Sequence, residues 1–224
     1  MADSSTTFRS LVTSFADFLT VAIHTILYER QIYPRTSFLS ARKYNFAVRQ
    51  NRHPKVCEWI SDAVTAVECE LLKGTMERVV VVLYTTASRP VERYVVDVSR
   101  LPMVPPGEVD TPLERTTTDG EDAPVLPLID LEEQLRATMS RLIASASGLK
   151  PLPEGCTFTI AMDLRDGEEP PVRHPQLWIP VQPAQQKGSI ESSDRIMTPV
   201  RAVAAGEMIF ETWIEEAGQD DEAM

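Results

Sequence analysis

Residues able to do nucleophilic, acid–base or metal chemistry are few in this 224-residue chain, and they are scattered. The three histidines, His24, His53 and His174, lie at no metal-ligand spacing from one another or from a cysteine. Cys156 and His174 could form a nucleophile–base dyad, but Cys156 falls in the apolar register of its segment, where a thiol is usually inert. The sequence motifs of serine hydrolases, P-loop and dinucleotide-binding enzymes and zinc proteases are missing. We therefore expect a protein that is not an enzyme, with no cofactor and no metal site.

Composition narrows the class of protein further. A hydrophobic content of 43% is enough for a packed core, and the net charge of −11 opposes sequence-independent binding to a phosphate backbone. No apolar run approaches the ~20 residues that span a bilayer, and the N-terminus lacks a secretory signal. The three cysteines are expected to be reduced and mostly buried. These features predict an intracellular protein with little or no direct nucleic-acid binding and no membrane contact.

One segment departs from the acidic balance of the chain. Residues 35–55 contain no acidic residue and six basic ones: Arg35, Arg42, Lys43, Arg49, Arg52 and Lys55. Within it, residues 36–51 show no clear periodicity and are expected to be irregular. The segment is either a solvated face that balances acids elsewhere or a contact surface for nucleic acid or an acidic partner.

The elements that organise the chain are two apolar strands, residues 78–85 and 91–98, separated by a break that ends at Pro90. A hairpin this hydrophobic is not stable alone, so other elements must pack against its apolar side chains. Helical periodicity over residues 8–33, 54–73 and 130–147 places apolar residues on one side of each helix, with His24 on the polar side of the first. We predict an α+β fold with these three helices on one face of a mainly antiparallel sheet.

The second half of the chain alternates between regular and irregular segments. Five prolines in residues 101–125 predict a mobile loop, and residues 156–164 alternate as a half-buried strand. Residues 166–199 are proline-rich and read as an extended arm, followed by a final strand at 208–214. On that strand Met208, Phe210, Thr212 and Ile214 alternate with Ile209, Glu211 and Trp213, so one row can face the core. Residues 215–224 are predicted to be a disordered acidic tail.

Three stretches together resemble a known family. They are FLTVAIHTILYERQIYP (18–34), RKYNFAVRQNRHP (42–54) and MERVVVVLYTTASRPVERYVVDV (76–98), supported by PEGCTFTIAM (153–162) and by the Trp178–Ile179 pair. Their order and spacing are similar to the HORMA domain, and within it to the accessory subunits of translesion DNA polymerase zeta. The resemblance implies a single HORMA domain over 1–224, with a core at about 8–165, a C-terminal safety belt at about 166–214 and the tail at 215–224.

The resemblance also implies partners and sites. A client peptide from the catalytic subunit of DNA polymerase zeta would lie under the belt, contacted by Tyr33, Trp59 and Trp178. The C-terminal domain of a second translesion polymerase, the deoxycytidyl transferase, would contact the late belt at Ile196, Met197, Glu211 and Trp213. Arg136 would support self-association of two HORMA domains. Trp59 and Trp213 stand where the family pattern has tyrosines. The resemblance implies a role in DNA damage tolerance. It also implies a location in the nucleus, and additionally in the cytoplasm.

Two other functional hypotheses remain open from the sequence. The same fold could serve the spindle checkpoint or the meiotic chromosome axis, with client peptides from other proteins. An enzyme of unrecognised type would instead show a deep polar pocket converging on Cys156 or Asp163.

Overall fold

The computed structural model describes residues 6–113, 115–116, 122–123, 128–168, 171, 178–179 and 195–218. Within them, the helices are α1 (Phe8–Glu29), α2 (Pro54–Lys73) and α3 (Leu128–Gly148), with a 3-10 turn at Arg35–Ser37. The strands are β1 (Phe38–Lys43), β2 (Phe46–Asn51), β3 (Met76–Tyr84), β4 (Pro90–Asp97), β5 (Arg115–Thr116), β6 (Asp122–Ala123), β7 (Thr157–Leu164), β8 (Arg195–Ala205) and β9 (Met208–Ala217).

The main sheet is antiparallel throughout, with strand order β7-β3-β4-β9-β8. Alternate residues of β3 and β4 face opposite ways. Val79, Val81 and Tyr94 join a core cluster with buried residues of all three helices, whereas Val80, Val82 and Val95 form a second cluster that contains no helix residue. The three helices therefore cover one face of the sheet. The predicted fold class, α+β with a mainly antiparallel sheet, is confirmed.

Local signals explain where the helices begin and end. Thr7 and Ser10 cap the start of α1 reciprocally, and Pro54 at the first turn of α2 and left-handed Gly74 after it bound that helix as the sequence predicts. The predicted end of α1 at residue 33 is four residues too late. Gln31 adopts a left-handed φ of +53°, which breaks the helix before Pro34.

The prediction that residues 36–51 are irregular is wrong. They form the β1–β2 hairpin, in which Lys43 pairs with Phe46 across a two-residue turn. Tyr44 and Asn45 both have φ of +52°, as a tight hairpin turn of this type requires. Asparagine tolerates that conformation, but tyrosine is unusual there, so the turn was hard to recognise from sequence.

The periodicity of α1 suggested that His24 is partly exposed. The hairpin explains why it is buried instead. Asn51 at the end of β2 covers the ring, and its backbone N–H donates to His24 Nδ1 at 3.3 Å. Only 4% of His24 is exposed, and burial lowers its pKa to about 4, so the ring is neutral at pH 7. His24 is thus a structural residue between α1 and the hairpin.

Three further expectations from the sequence need correction. Cys69 is exposed and Cys57 and Cys156 are only half-buried, so the thiols are not mostly buried. Helix α1 is long and apolar enough to cross a membrane by length and composition, which the sequence analysis did not expect, and 67% of its most apolar window is buried in this fold. The segment 101–125 was predicted to be a mobile loop, but its first part is attached to α1. The backbone N–H of Arg9 donates a hydrogen bond to the backbone carbonyl of Val109 at 3.0 Å.

The C-terminal strands extend the predicted ones. β8 begins at Arg195, inside the segment predicted to be an extended arm, and pairs along its length with β9. β9 continues to Ala217 because Glu215 and Glu216 pair with Arg93 and Glu92 of β4. The first three residues of the predicted tail therefore belong to the sheet.

A glycine in the turn before β7 has a required conformation. Gly155 has φ of +77°, and a Cβ there would lie 2.8 Å from Thr86 Cγ2. We expect Gly155→Ala to lower the free energy of unfolding by ~1–2 kcal/mol in a denaturant titration, because both the backbone and the contact become strained. Gly148→Ala, at a glycine with open space around it and no positive φ, is the matched control. Equal stabilities of the two variants would contradict this assignment.

Candidate functional site

The main sheet has two outer strands, β7 and β8. Within the described residues, β7 pairs with β3 on one side and with no strand on the other. An outer strand presents a row of N–H and C=O groups that an extended peptide can pair with. Each edge of the sheet can therefore accept an added peptide strand.

An aromatic cluster lies on the helix side of the β7 edge. The Phe158 ring of β7 contacts Trp59 of α2 edge-to-face, with centroids 5.0 Å apart, and Tyr33 after α1 with centroids 6.4 Å apart. All three side chains are half-buried, and burial raises the pKa of the Tyr33 phenol, which keeps its hydroxyl a donor. The cluster offers apolar ring surface next to free backbone groups.

The structure thus brings Tyr33 and Trp59, two of the three predicted client residues, together through Phe158. Trp178 is half-buried and packs against the same core cluster, while its neighbour Ile179 is 83% exposed. Sequence reasoning missed Phe158 as a site residue. The signal was present, because Phe158 is the largest inward residue of the alternating strand that begins at Thr157.

The catalytic alternatives gain no support from this region. Burial raises the pKa of the Cys156 thiol, which disfavours the reactive thiolate. His174, its suggested partner, lies outside the described residues. A cavity of about 360 Å³ lies elsewhere, between α1, β2 and α3, and neither Cys156 nor Asp163 lines it. In the described part of the chain, no cluster of three or more His, Cys, Asp or Glu residues could hold a metal ion.

A second candidate surface lies on the outer face of the β8–β9 hairpin. Phe210 is fully buried, whereas Trp213 lies in the opposite row and is half-buried. The Trp213 indole N–H donates to Glu215 Oε1 at 3.0 Å. Glu215 Oε2 accepts hydrogen bonds from Arg93 and Arg195, so the indole is held in place by an ion-paired carboxylate.

The register shows which of the four predicted second-partner residues share this face. Met197 lies opposite Glu215 and is 61% exposed, so it belongs to the outer row with Trp213 and Glu211. Ile196 lies opposite Glu216, in the row of core residue Ile214. It points to the other face of the sheet, although 60% of it is exposed at the strand end. Three of the four residues therefore form one surface.

Arg136, the predicted self-association residue, lies on α3 beside the buried residue Leu135. Its side chain is 41% exposed and pairs with Glu133 at 3.0 Å, one turn earlier. Exposed pairs of this kind contribute little to stability, so the guanidinium is available to a partner at small cost.

Comparisons with known proteins agree with this architecture. Residues 12–206 match the model of a family described as HORMA domain. The DNA polymerase zeta processivity subunit of Schizosaccharomyces pombe is 33% identical over 220 residues, 98% of this chain and 99% of that protein. The mitotic spindle assembly checkpoint protein MAD2B of Homo sapiens is 32% identical over 150 residues, 67% of this chain and 64% of that protein.

Solved structures show the same fold at low identity. A chain in a crystal structure of the mitotic checkpoint complex matches with a TM-score of 0.70 at 16% identity, covering 93% of this chain and 99% of that one. Caenorhabditis elegans HTP-2 bound to the HIM-3 closure motif matches with a TM-score of 0.69 at 9% identity, covering 96% and 93%.

Proposed function

Because this chain belongs to the HORMA domain family and resembles the polymerase zeta processivity subunit over nearly its whole length, we propose that it is a non-catalytic adaptor. It binds a client peptide of the polymerase zeta catalytic subunit under a C-terminal belt. It then bridges that subunit to a second translesion polymerase in DNA damage tolerance, with a nuclear and partly cytoplasmic location.

The observation that carries this proposal is the β7 edge beside the aromatic cluster of Tyr33, Trp59 and Phe158. A peptide added to β7 would gain main-chain hydrogen bonds, and the aromatic side chains would select among its residues. Aromatic rings lose few rotamers on binding, so they make efficient anchors.

The chain connection supports the belt. Strand β7 ends at Leu164 on one edge of the sheet, and the next described strand of the sheet, β8, begins at Arg195 on the opposite edge. The residues between them join the two edges, and they include Trp178, which packs on the same core as the aromatic cluster. We therefore keep 166–214 as the proposed belt within a single domain over 1–224.

Affinity purification from the native cell followed by mass spectrometry tests this function. We expect the catalytic subunit of polymerase zeta among the proteins that co-purify. Spindle-checkpoint or chromosome-axis proteins in its place would favour the second candidate function. That candidate is considered because relatives at about 32% identity carry the checkpoint name.

The second partner, proposed to be the C-terminal domain of the deoxycytidyl transferase, would bind the surface of Met197, Glu211 and Trp213, with Ile196 at its margin. We expect Trp213→Ala to weaken this binding about tenfold in calorimetry and to leave client affinity unchanged, because the half-buried indole presents part of its ring on the outer face and tryptophan is a frequent interface anchor. Client peptide should strengthen second-partner binding in the wild type, and the reverse must hold equally. A variant that lost the client but kept the second partner would reverse the two assignments.

Self-association is proposed to use the α3 surface around Arg136. Light scattering should give a dimer mass for the wild type and a monomer mass for Arg136→Ala, because the exposed guanidinium would otherwise pair across the interface. Arg141→Ala removes an exposed arginine from the same helix and should leave the dimer intact. A monomeric wild type, or an unchanged mass in Arg136→Ala, would refute this site.

A further inference from the structure

The cavity of about 360 Å³ between α1, the β1–β2 hairpin and α3 contains none of the residues assigned to client binding, second-partner binding or self-association. Its lining residues are Thr25, Tyr28, Glu29, Arg35, Ala47, Val48, Arg49 and Ile143. The volume lies within the range of small-ligand pockets, ~300–1,000 Å³. Arg35 and Arg49, two of the six basic residues in segment 35–55, are among them.

Tyr28 positions these two arginines. The guanidinium carbons of Arg35 and Arg49 lie 5.2 and 5.0 Å from the centre of its ring. Phe38 in turn contacts the Tyr28 ring edge-to-face at 5.3 Å, which fixes the ring itself. Both guanidinium groups are therefore held against the same ring by cation–π contacts.

Neither arginine is neutralised by a carboxylate. Within the described residues no ion pair involves Arg35 or Arg49, and the hydrogen bond that Arg49 donates goes to the Ser40 hydroxyl at 3.0 Å. Elsewhere in the segment, Lys43 is paired with Asp17 at 2.6 Å and Arg42 bonds to Asn45. Arg35 and Arg49 are thus the two basic residues of segment 35–55 that line the cavity, and in the described residues neither is paired with a carboxylate.

A buried hydroxyl at the same cavity gives an independent observation. Thr25 is 1% exposed, and its Oγ1 has no hydrogen-bond partner in the part of the chain that the structure describes. A buried hydroxyl without a partner costs free energy unless a ligand or water supplies one. Because Thr25 lines the cavity, this hydroxyl belongs to the cavity wall.

We propose that this cavity binds a phosphorylated serine or threonine side chain of a partner peptide. A phosphoryl group carries about two negative charges and three strong acceptor oxygens, which match the donors of two guanidinium groups. The volume exceeds the need of a bare phosphate and leaves room for the side chain that carries it. Binding is non-covalent, and no bond is made or broken.

A nucleic-acid backbone fits the site less well. Such a backbone needs a track of several cations, and the protein carries a net charge of −11, which repels a polyanion over long distances. Here two cations line a partly open cavity, beside the carboxylate of Glu29. That carboxylate opposes any anion, so the site requires both arginines together.

The test uses the full-length, isotope-labelled protein and four probes: the pentapeptide Gly-Gly-pSer-Gly-Gly, its unphosphorylated form, inorganic phosphate and an oligothymidine. We expect the phosphopeptide to shift the amide signals of Thr25, Ala47 and Val48. The unphosphorylated peptide should leave them unchanged, and inorganic phosphate should shift the same signals at higher concentrations.

Two kinds of variant are expected to change the affinity for the phosphopeptide in opposite directions. Arg35→Ala and Arg49→Ala should each weaken phosphopeptide binding about tenfold, since each removes a charge-assisted donor group. Glu29→Gln should strengthen it, because the opposing charge is gone. Arg42→Ala changes the net charge equally on the same hairpin without touching the cavity, so it should have no effect.

Several results would overturn the assignment. Absence of shifts with the phosphopeptide, or equal weakening by Arg42→Ala and Arg35→Ala, would remove the site. Equal affinity for inorganic phosphate and phosphopeptide would assign it to free phosphate. Tighter binding of oligothymidine that depends on Arg35 and Arg49 would assign it to nucleic acid. All readouts are independent of client binding, so they do not depend on the proposed adaptor function.

Discussion

Arg30→Ala should lower the free energy of unfolding by ~3–5 kcal/mol, because it leaves the Glu92 carboxylate buried without its counter-charge. The Arg30 and Glu92 side chains are both only 5% exposed. Two parallel hydrogen bonds join them, from Arg30 Nε to Glu92 Oε2 at 2.9 Å and from Nη2 to Oε1 at 2.6 Å. The Tyr94 hydroxyl donates to the same carboxylate at 2.9 Å.

The Arg30 guanidinium also connects separate elements through hydrogen bonds. It donates to the backbone carbonyls of Ala146 in α3 and Lys150 just after it, so it links the end of α1 to α3 and to β4. Removing it deletes both of these hydrogen bonds as well. Since Tyr33 follows Arg30 by three residues, the change should also loosen one wall of the aromatic cluster.

A surface ion pair provides the control. Lys43 and Asp17 pair at the same 2.6 Å, but their side chains are 41% and 55% exposed. Lys43→Ala should therefore cost less than ~1 kcal/mol in the same denaturant titration. A loss from Arg30→Ala no larger than that from Lys43→Ala would show that the buried network does not hold the helices to the sheet.

Trp178→Ala should weaken client-peptide binding by ~2 kcal/mol or more, about thirtyfold in Kd. The reason is that the belt would place this large, half-buried ring against the peptide, where its loss removes apolar contact that solvent cannot replace. Trp59→Ala should act in the same direction, because its ring is packed on Phe158 of the proposed receiving strand.

Trp213→Ala is a matched control for this prediction. It removes the same side chain from the opposite face of the sheet, in the cluster that contains no helix residue. Its client affinity should equal that of the wild type in calorimetry. If Trp178→Ala stays folded by circular dichroism and binds the client as tightly as the wild type, Trp178 is not part of the site.

The fold was largely predictable because its strongest signals are local. The apolar runs of β3 and β4, the one-sided helices and the alternation of β7 and β9 each follow from the sequence within a single element. On β9, period-2 alternation places Phe210 and Trp213 in opposite rows, but the structure was needed to show that the Phe210 row is the buried one.

What sequence reasoning missed depends on contacts between distant elements. The exposure of His24 could not be known without the hairpin residue Asn51, and the hairpin was hidden by an unusual Tyr44–Asn45 turn. Phe158 belongs to the candidate site because Tyr33 and Trp59, which lie on other elements, contact its ring. Ile196 and Met197 looked like one surface until the β8–β9 register separated them.

Hydrogen exchange of the backbone amides, with and without client peptide, tests the central claim most directly. If the client adds a strand to β7, the amides of β7 that point away from β3 exchange rapidly in the free protein and become protected in the complex. The amides along the outer side of β8, at the opposite edge of the sheet, should not change. Protection on the outer side of β8 with β7 unchanged would contradict the account.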